Sequence, residues 1–338
     1  MDVSFGKRIL QRTLLIIPVV LLAMTIVFFI SRLVPGDPAR LIAGEYASEE
    51  QVQKIRAEYH LDRPIPVQFL LYLRDSLRGD FGISMHTRRA VSDDIKNFYP
   101  ATLELSLVSI FLVIFIGVPL GVVSAVKKDK WSDHFARFLA LGGVSAPIFW
   151  VGILLQLLLF YHLRLLPIGE RLTYGIAPPL HITGLYMVDS LLTGNWKTLW
   201  DSVYHLILPA VLMTVSSMSS VVRQTRGEML KVMKEDYVLF HKAYGLSDRM
   251  IIYKYALRNA LTPTVSVTGL TFGVLLSRAY LVEVICNWPG IGRYVSLAVL
   301  SSDFPAIVGS TLVIGFSYAV INVLVDIVYI LLNPKVGI

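Results

Sequence analysis

The sequence predicts an all-α membrane protein with six transmembrane helices, an extracytoplasmic insertion after the first, and a cytoplasmic loop between the fourth and fifth. Three observations lead there. Charged residues make up only 16% of the 338 residues, against about 25% in an ordinary soluble chain. Six stretches stay apolar for roughly the 20 residues that a helix needs to cross a bilayer core of about 30 Å. Lys and Arg gather between particular stretches and are balanced by acids between others. A soluble protein with a large core would lower the charge fraction, but would not leave runs of about 20 residues without a charge.

The first span is read as Ile9–Ile30. Thirteen of the 18 residues in TLLIIPVVLLAMTIVFFI are Leu, Ile, Val or Phe, each contributing about −0.3 to −0.6 kcal/mol at mid-membrane. Insertion is therefore favoured even with Pro18 inside. Lys7, Arg8 and Arg12 could begin a signal peptide, but the apolar run is too long and SRLVPGDP is no small-residue cleavage site. An uncleaved helix is expected.

Residues 32–100 form too long a connection for a simple loop. They carry ten basic and ten acidic residues. SEEQVQKIRAEYHL and PVQFLLYLRDSL read as helices, with Gly and Pro between other segments, so a small folded module is expected. It is either a lid on the span ends or a docking surface for a soluble partner. Further spans are read at Leu105–Val126, Phe138–Leu163, Val203–Val222, Leu261–Ile285 and Pro305–Leu332. Segment Pro178–Trp200 is apolar but too broken by Pro and Gly to cross, and Trp196 and Trp200 suit the headgroup level.

Orientation follows from basic residues in short loops. The loop KKDKWSDHFAR contains Lys127, Lys128, Lys130 and Arg137, and residues 223–258 hold eight basic against four acidic residues. The connection 164–201 is balanced, three against three. Both termini and the two basic loops are thus expected in the cytoplasm. The formal net charge of +7 is then a topology signal and not a nucleic-acid signal.

Several chemistries have no motif here. Cys286 is the one cysteine, which excludes an internal disulfide and a Cys-based zinc site. No GxxxxGK[ST], HExxH or GxSxG occurs. No catalytic, cofactor-binding or metal site is expected, and the chain is not expected to be an enzyme. Ionisable residues within or beside the spans are Glu104, Arg278, Glu283 and Asp326. Glu104, Glu283 and Asp326 lie near span ends and are read as structural partners. Arg278 is deeper, and with Tyr280 and Glu283 it is a candidate lining of a translocation path.

The most informative stretch is EDYVLFHKAYGLSDRMIIYKYALRNALTP, residues 235–263. It reads as two short helices broken at a glycine. Acidic residues open the first, Gly245 can take the left-handed conformation that ends it, and Ser247 can cap the second. Pro263 falls where the chain re-enters the membrane. Such a hairpin either presents a surface to a soluble motor or merely closes the bundle from inside.

This stretch resembles the signature loop of ABC-importer permeases, in the branch for dipeptides, oligopeptides and nickel. Blocks along nearly the whole chain agree in order: LVPGDPA, HLDRPIPVQFLLYL, RGDFGIS, YPATLELS, HLILPA, DYVLFHKAYGLS, ALRNALTP, NWPGIGRYV and VDIVYILLNPKV. The resemblance implies a type I ABC importer permease with an N-terminal segment and span (1–31), the insertion (32–100) and a five-span core (101–338). Its coupling loop would cover about 224–260, and Ala243, Tyr244, Gly245, Leu246 and Ser247 would seat in an ATPase subunit. Implied partners are a second homologous permease subunit, two cytoplasmic ATPase subunits that bind the ATP, an extracytoplasmic substrate-binding protein and the lipid bilayer of a prokaryotic inner membrane. Peptide is the expected cargo, with oligosaccharide and nickel also within the branch. An ion-coupled secondary transporter is the alternative, but no inverted repeat of broken helices is visible. Two departures stand out. His241 replaces the usual small residue, with packing expected over pH sensing, and Asn333-Pro334-Lys335 stands where DPR is usual.

Overall fold

The computed structural model describes residues 14, 16–33, 37–44 and 47–332. Asn333, Pro334, Lys335 and the side chain of Asp326 lie outside them. Among the described residues the chain is helical, with an isolated antiparallel bridge between Ile83 and Ala90. The helices are α1 Ile16–Leu33, α2 Pro38–Ala43, α3 Glu49–Glu58, α4 Ile65–Leu77, α5 Val91–Val126, α6 Trp131–Ser145, α7 Ile148–Gln156, α8 Tyr186–Leu192 and α9 Trp196–Val232. They continue as α10 Asp236–Ala243, α11 Asp248–Ile285, α12 Ile291–Leu300 and α13 Phe304–Leu332. Four are long and apolar enough to cross a membrane: α5, α9, α11 and α13. Shorter apolar stretches occupy Ile17–Phe29 and Ile148–His162.

The third expected span differs from its sequence reading. A single helix was expected over Phe138–Leu163, but α6 stops at Ser145 and α7 starts at Ile148. Pro147 causes the break. Its ring disfavours helical geometry in the residue before it, and Ala146 is extended at φ −90° and ψ 139°. A π-helical turn over Leu157–His162 then ends this segment.

The chain divides into two compact units. One comprises 1–101 with 289–320, so the insertion is packed with a segment far along the chain. In α3, Ser48 accepts from the Gln51 N–H while the Gln51 side chain accepts from the Ser48 N–H, a complete capping box. Phe28 of α1 lies edge-on to Phe69 of α4, centroids 5.2 Å apart. The core holds Val91, Ile95, Ile291, Tyr294, Ala298 and Ala306, with Tyr294 stacked on Phe98 at 5.1 Å. Buried Asp303 ties together segments 219 positions apart in the sequence. It accepts from the Ser84 hydroxyl and the His86 N–H, and also from the Ala306 N–H at the start of α13.

The other unit comprises 102–288 with 321–338. Helix α9 is its axis, and small residues let its neighbours approach closely, as membrane helices require where lipid supplies no hydrophobic drive. Gly117 and Gly121 of α5 face Val221, Val222 and Thr225 of α9. Gly143 of α6 is closer still: a Cβ there would stand 2.1 Å from the Val215 carbonyl oxygen. Gly143→Val is therefore expected to force α6 from α9 and cost about 2 kcal/mol of overpacking, read as a lower melting temperature in detergent.

Candidate functional site

The stretch singled out from the sequence forms a hairpin projecting from the end of α9. Chain reversal begins where α10 ends. Gly245 has φ +77°, in the left-handed region where a side chain strains the backbone. The Gly245 N–H donates to the Lys242 carbonyl at 2.9 Å and the Leu246 N–H to the His241 carbonyl at 3.1 Å. That pair of bonds is a Schellman cap, which satisfies the carbonyls left open at a helix C-terminus. Two residues on, the Ser247 hydroxyl accepts from the Met250 N–H at 3.4 Å and starts α11.

The second half departs from the sequence reading. It is not a short separate helix, because α11 runs from Asp248 through to Ile285 without interruption. Pro263 sits inside it. A π-helical turn over Ile251–Ala256 joins the exposed hairpin to the membrane-spanning part. Such a turn carries an extra residue within a helix and often marks functional positions.

The hairpin is anchored from beneath. Ala256, Ala260 and Ile252 pack with Val122 and Ala125 of α5 and Met229 of α9. The Asn259 amide donates to the Tyr237 hydroxyl at 2.8 Å, tying α11 to α10. His241 finds its space here: its Nδ1 donates to the Tyr237 carbonyl at 2.6 Å, and its ring stands edge-on to Tyr255 at 4.2 Å. The imidazole is thus a packing element of the hairpin.

The outward side is bare. Ala243, Tyr244, Gly245 and Ser247 are exposed and Leu246 is half-buried. A Cβ on Gly245 would meet nothing within 4 Å. Sequence reasoning missed part of this surface. Leu239 and Phe240 are each 57% exposed, and Phe240 packs against Tyr244 with centroids 4.4 Å apart. Their i, i+4 spacing was the available signal. The result is a rigid apolar knob beside a glycine with open space over it.

A second feature that sequence reading missed fixes the base of α9. Asp133, fully buried, receives the Arg226 guanidinium through Nε and Nη2, both at 2.9 Å. The Ser124 hydroxyl and the Asp129 N–H also donate to it. The Arg226 hydrogen bonds, chiefly, hold the Asp133 carboxyl far below its ordinary range against the opposing effect of burial, with Ser124 and Asp129 adding to the lowering.

The polar residues assigned to spans separate into different roles. Glu104 pairs with Arg171 at 2.6 Å, with both side chains under 10% exposed. Its other oxygen accepts from the Met187 N–H, and Arg171 lies over the Tyr186 ring at 3.4 Å. Glu104 is therefore structural, as the sequence suggested. The candidate path residues do not converge. Glu283 is wholly buried and accepts from the Thr102 hydroxyl. Arg278 and Tyr280 are exposed, about 160° apart around α11 by helix periodicity. They flank a face of α11 that also exposes Leu270, Val274 and Val284.

Residues 117–338 match the family described as binding-protein-dependent transport system inner membrane component, and residues 6–106 match its N-terminal companion. The chain belongs to this permease family. It is a multi-pass inner-membrane subunit of an ATP-binding-cassette importer. It is 42% identical to the probable D,D-dipeptide transport system permease protein DdpB of Escherichia coli, over 99% of this chain and 98% of that one. It is 39% identical to the dipeptide transport system permease protein DppB of Alkalihalophilus pseudofirmus, over 97% and 98%. The glutathione transport system permease protein GsiC of Salmonella paratyphi A is 35% identical, over 97% and 98%.

Proposed function

We propose that this permease forms half of a peptide translocation path, paired with a second homologous permease subunit. Two cytoplasmic ATPase subunits bind and hydrolyse the ATP, and an extracytoplasmic binding protein delivers the solute. Neither chemistry nor cofactor is assigned to this chain itself. The observation that carries the reading is the Gly245 break: an exposed, Schellman-capped turn flanked by Phe240 and Tyr244, on a helix that continues into the membrane. A clamp closing on Ala243–Ser247 would move α11 as a rod. Relatives named for dipeptide, D,D-dipeptide and glutathione transport favour a peptide as solute.

Within the spans, an arginine exposed at membrane depth needs protein or water opposite it. The face of α11 bearing Arg278 and Tyr280 is accordingly assigned to the path and the second permease, while Glu283 holds the helix in place through Thr102. Both termini and the loops 127–137 and 223–258 are read as cytoplasmic, and the excess of Lys and Arg in those loops supports that reading.

Two measurements test this. A tagged chain solubilised gently from native membranes is expected to bring ATPase subunits with it. A cysteine at position 245, in a Cys286→Ser background, is expected to react with an impermeant maleimide from the inner side alone. Transport down an ion gradient by this chain alone in vesicles, without nucleotide, would overturn the reading. So would labelling of position 245 from outside.

A further inference from the structure

The unit comprising 1–101 and 289–320 contains a cavity of about 400 Å³. Its wall carries the aromatic side chains Phe28, Tyr59, Tyr72 and Phe81 and three carboxylates, Glu58, Asp75 and Asp80, with Phe304 and Pro305 of α13 also in the lining. His60 is the one residue among its lining that can carry positive charge. Asp75 is partly neutralised by Arg74, whose Nε donates to it at 2.8 Å. Asp80 has one oxygen engaged by the Gly82 N–H. Among the described residues, Glu58 enters no ion pair, and both Glu58 and Asp80 are exposed.

Tyr59 lines the same space. Its hydroxyl accepts from the Ile83 N–H at 3.3 Å, which alone would lower its pKa. Burial, first, and then the charges of Glu58, Asp80 and Asp303 push it up instead. The cavity is therefore a partly enclosed, negatively charged space walled by aromatic rings.

Carboxylates together with ring faces recognise organic cations: the carboxylate meets the charge, and the negative ring faces attract it while solvating the adjoining carbons. A bare metal ion would want oxygen ligands converging at about 2 Å, with no use for aromatic walls. An apolar side chain would cover Glu58 and Asp80, which are exposed to solvent, without meeting their charge. We propose that this cavity is a binding site for a primary ammonium group carried on a small apolar body, held by Glu58 and Asp80 and bracketed by Tyr59 and Tyr72. It shares no residue with the coupling hairpin or the α11 face, and it does not depend on what the importer carries. Two sources share this chemistry, the free amino terminus of a short peptide and the ethanolamine headgroup of a phospholipid.

The test uses the assembled transporter, without its binding protein, in phosphatidylcholine nanodiscs. Equilibrium dialysis with radiolabelled trileucine is compared with N-acetyltrileucine, for wild type and Glu58→Gln/Asp80→Asn. Both substitutions preserve shape, and the amide introduced by Asp80→Asn retains an acceptor for the Gly82 N–H. If the amino terminus is the source, wild type retains trileucine at least tenfold better than its acetylated twin, and the double variant loses that preference while melting as wild type does. If ethanolamine is the source, trileucine is displaced when phosphatidylethanolamine replaces half of the lipid, and native mass spectrometry finds that lipid retained by wild type and lost from the double variant. The proposal is overturned if wild type shows no preference for an ammonium ligand in either arm, or if the double variant keeps it. Failure here would leave the ATPase copurification result untouched.

Discussion

Replacing Gly245 by tryptophan is expected to abolish ATP-linked uptake while leaving the chain folded and inserted. The backbone at Gly245 lies at φ +77°, where a side chain costs about 1–2 kcal/mol. The hairpin can bear that cost. It is held by Asn259 on Tyr237, by His241 against Tyr255, and by buried Val238 and Ile251. Within this chain the side chain also starts into open space, since a Cβ there would meet nothing within 4 Å. The damage therefore falls on whatever approaches that bare turn. A misfit at the centre of a docking surface costs at least about 2 kcal/mol, which is roughly a 30-fold loss of association. Gly245→Ala separates the two effects, because it adds the backbone strain without the bulk. Uptake should be partly retained with alanine and reach background with tryptophan, with the ATPase lost from pull-downs only for tryptophan. Uptake by the tryptophan variant within twofold of wild type would remove Gly245 from the coupling surface.

The sequence and the structure agree best where one residue type has one physical use. Gly245 and Ser247 could be read as stop and start because a left-handed turn and a side-chain cap each select few residues. The two helices read in the insertion are present as α3 and α4, and the structure adds a capping box from Ser48 and Gln51 at the head of α3. Long apolar runs announced α5, α9, α11 and α13; α13 keeps the bounds read for it to within a residue, whereas the other three extend well past their apolar stretches. Helix α9, for example, covers Trp196–Val232 where Val203–Val222 was read. Backbone hydrogen bonding continues wherever the sequence tolerates it, whereas hydropathy marks only the part suited to lipid.

Long-range partnerships were not legible. Nothing local to Asp133 points to Arg226, ninety-three positions away, and nothing local to Ser84 points to Asp303. Arg278, Tyr280 and Glu283 were grouped because they are near in sequence. A helix separates such residues by about 100° per step, and it put Glu283 in the interior with the other two on opposite edges of an exposed face. Pro147 was visible in the sequence, but its consequence depends on Ala146 giving up helical geometry, which apolar composition does not reveal.

Arg226→Ala is expected to destabilise the permease by about 3 kcal/mol, because it strands a buried carboxylate. Asp133 has no exposed side-chain surface, and Arg226 supplies two of its hydrogen bonds. Arg137, 3.3 Å from Asp133, remains as a partial substitute, which places the loss at the low end of the range for broken buried pairs. Arg226→Lys keeps a charge but not the two-point geometry, so it should fall between alanine and wild type. The pH dependence follows from the direction of the Asp133 shift. Its folded-state pKa is depressed below the ordinary value of 3.8. Its stabilising contribution is thus complete above that value and declines as pH falls through the folded pKa. Removing Arg226 leaves burial to raise the Asp133 pKa in the variant, so the variant takes up a proton first as pH falls. The melting temperatures of wild type and Arg226→Ala should therefore differ most at about pH 8 and converge in acid. A gap that widened as pH fell from about 8 would assign the stabilisation to some other group. The same substitution should also weaken coupling, since the pair fixes α6 to the end of α9 beside the residues on which the hairpin rests. A loose footing lets the hairpin move without carrying α11 along, so ATP hydrolysis by the complex is expected to persist while uptake per ATP falls.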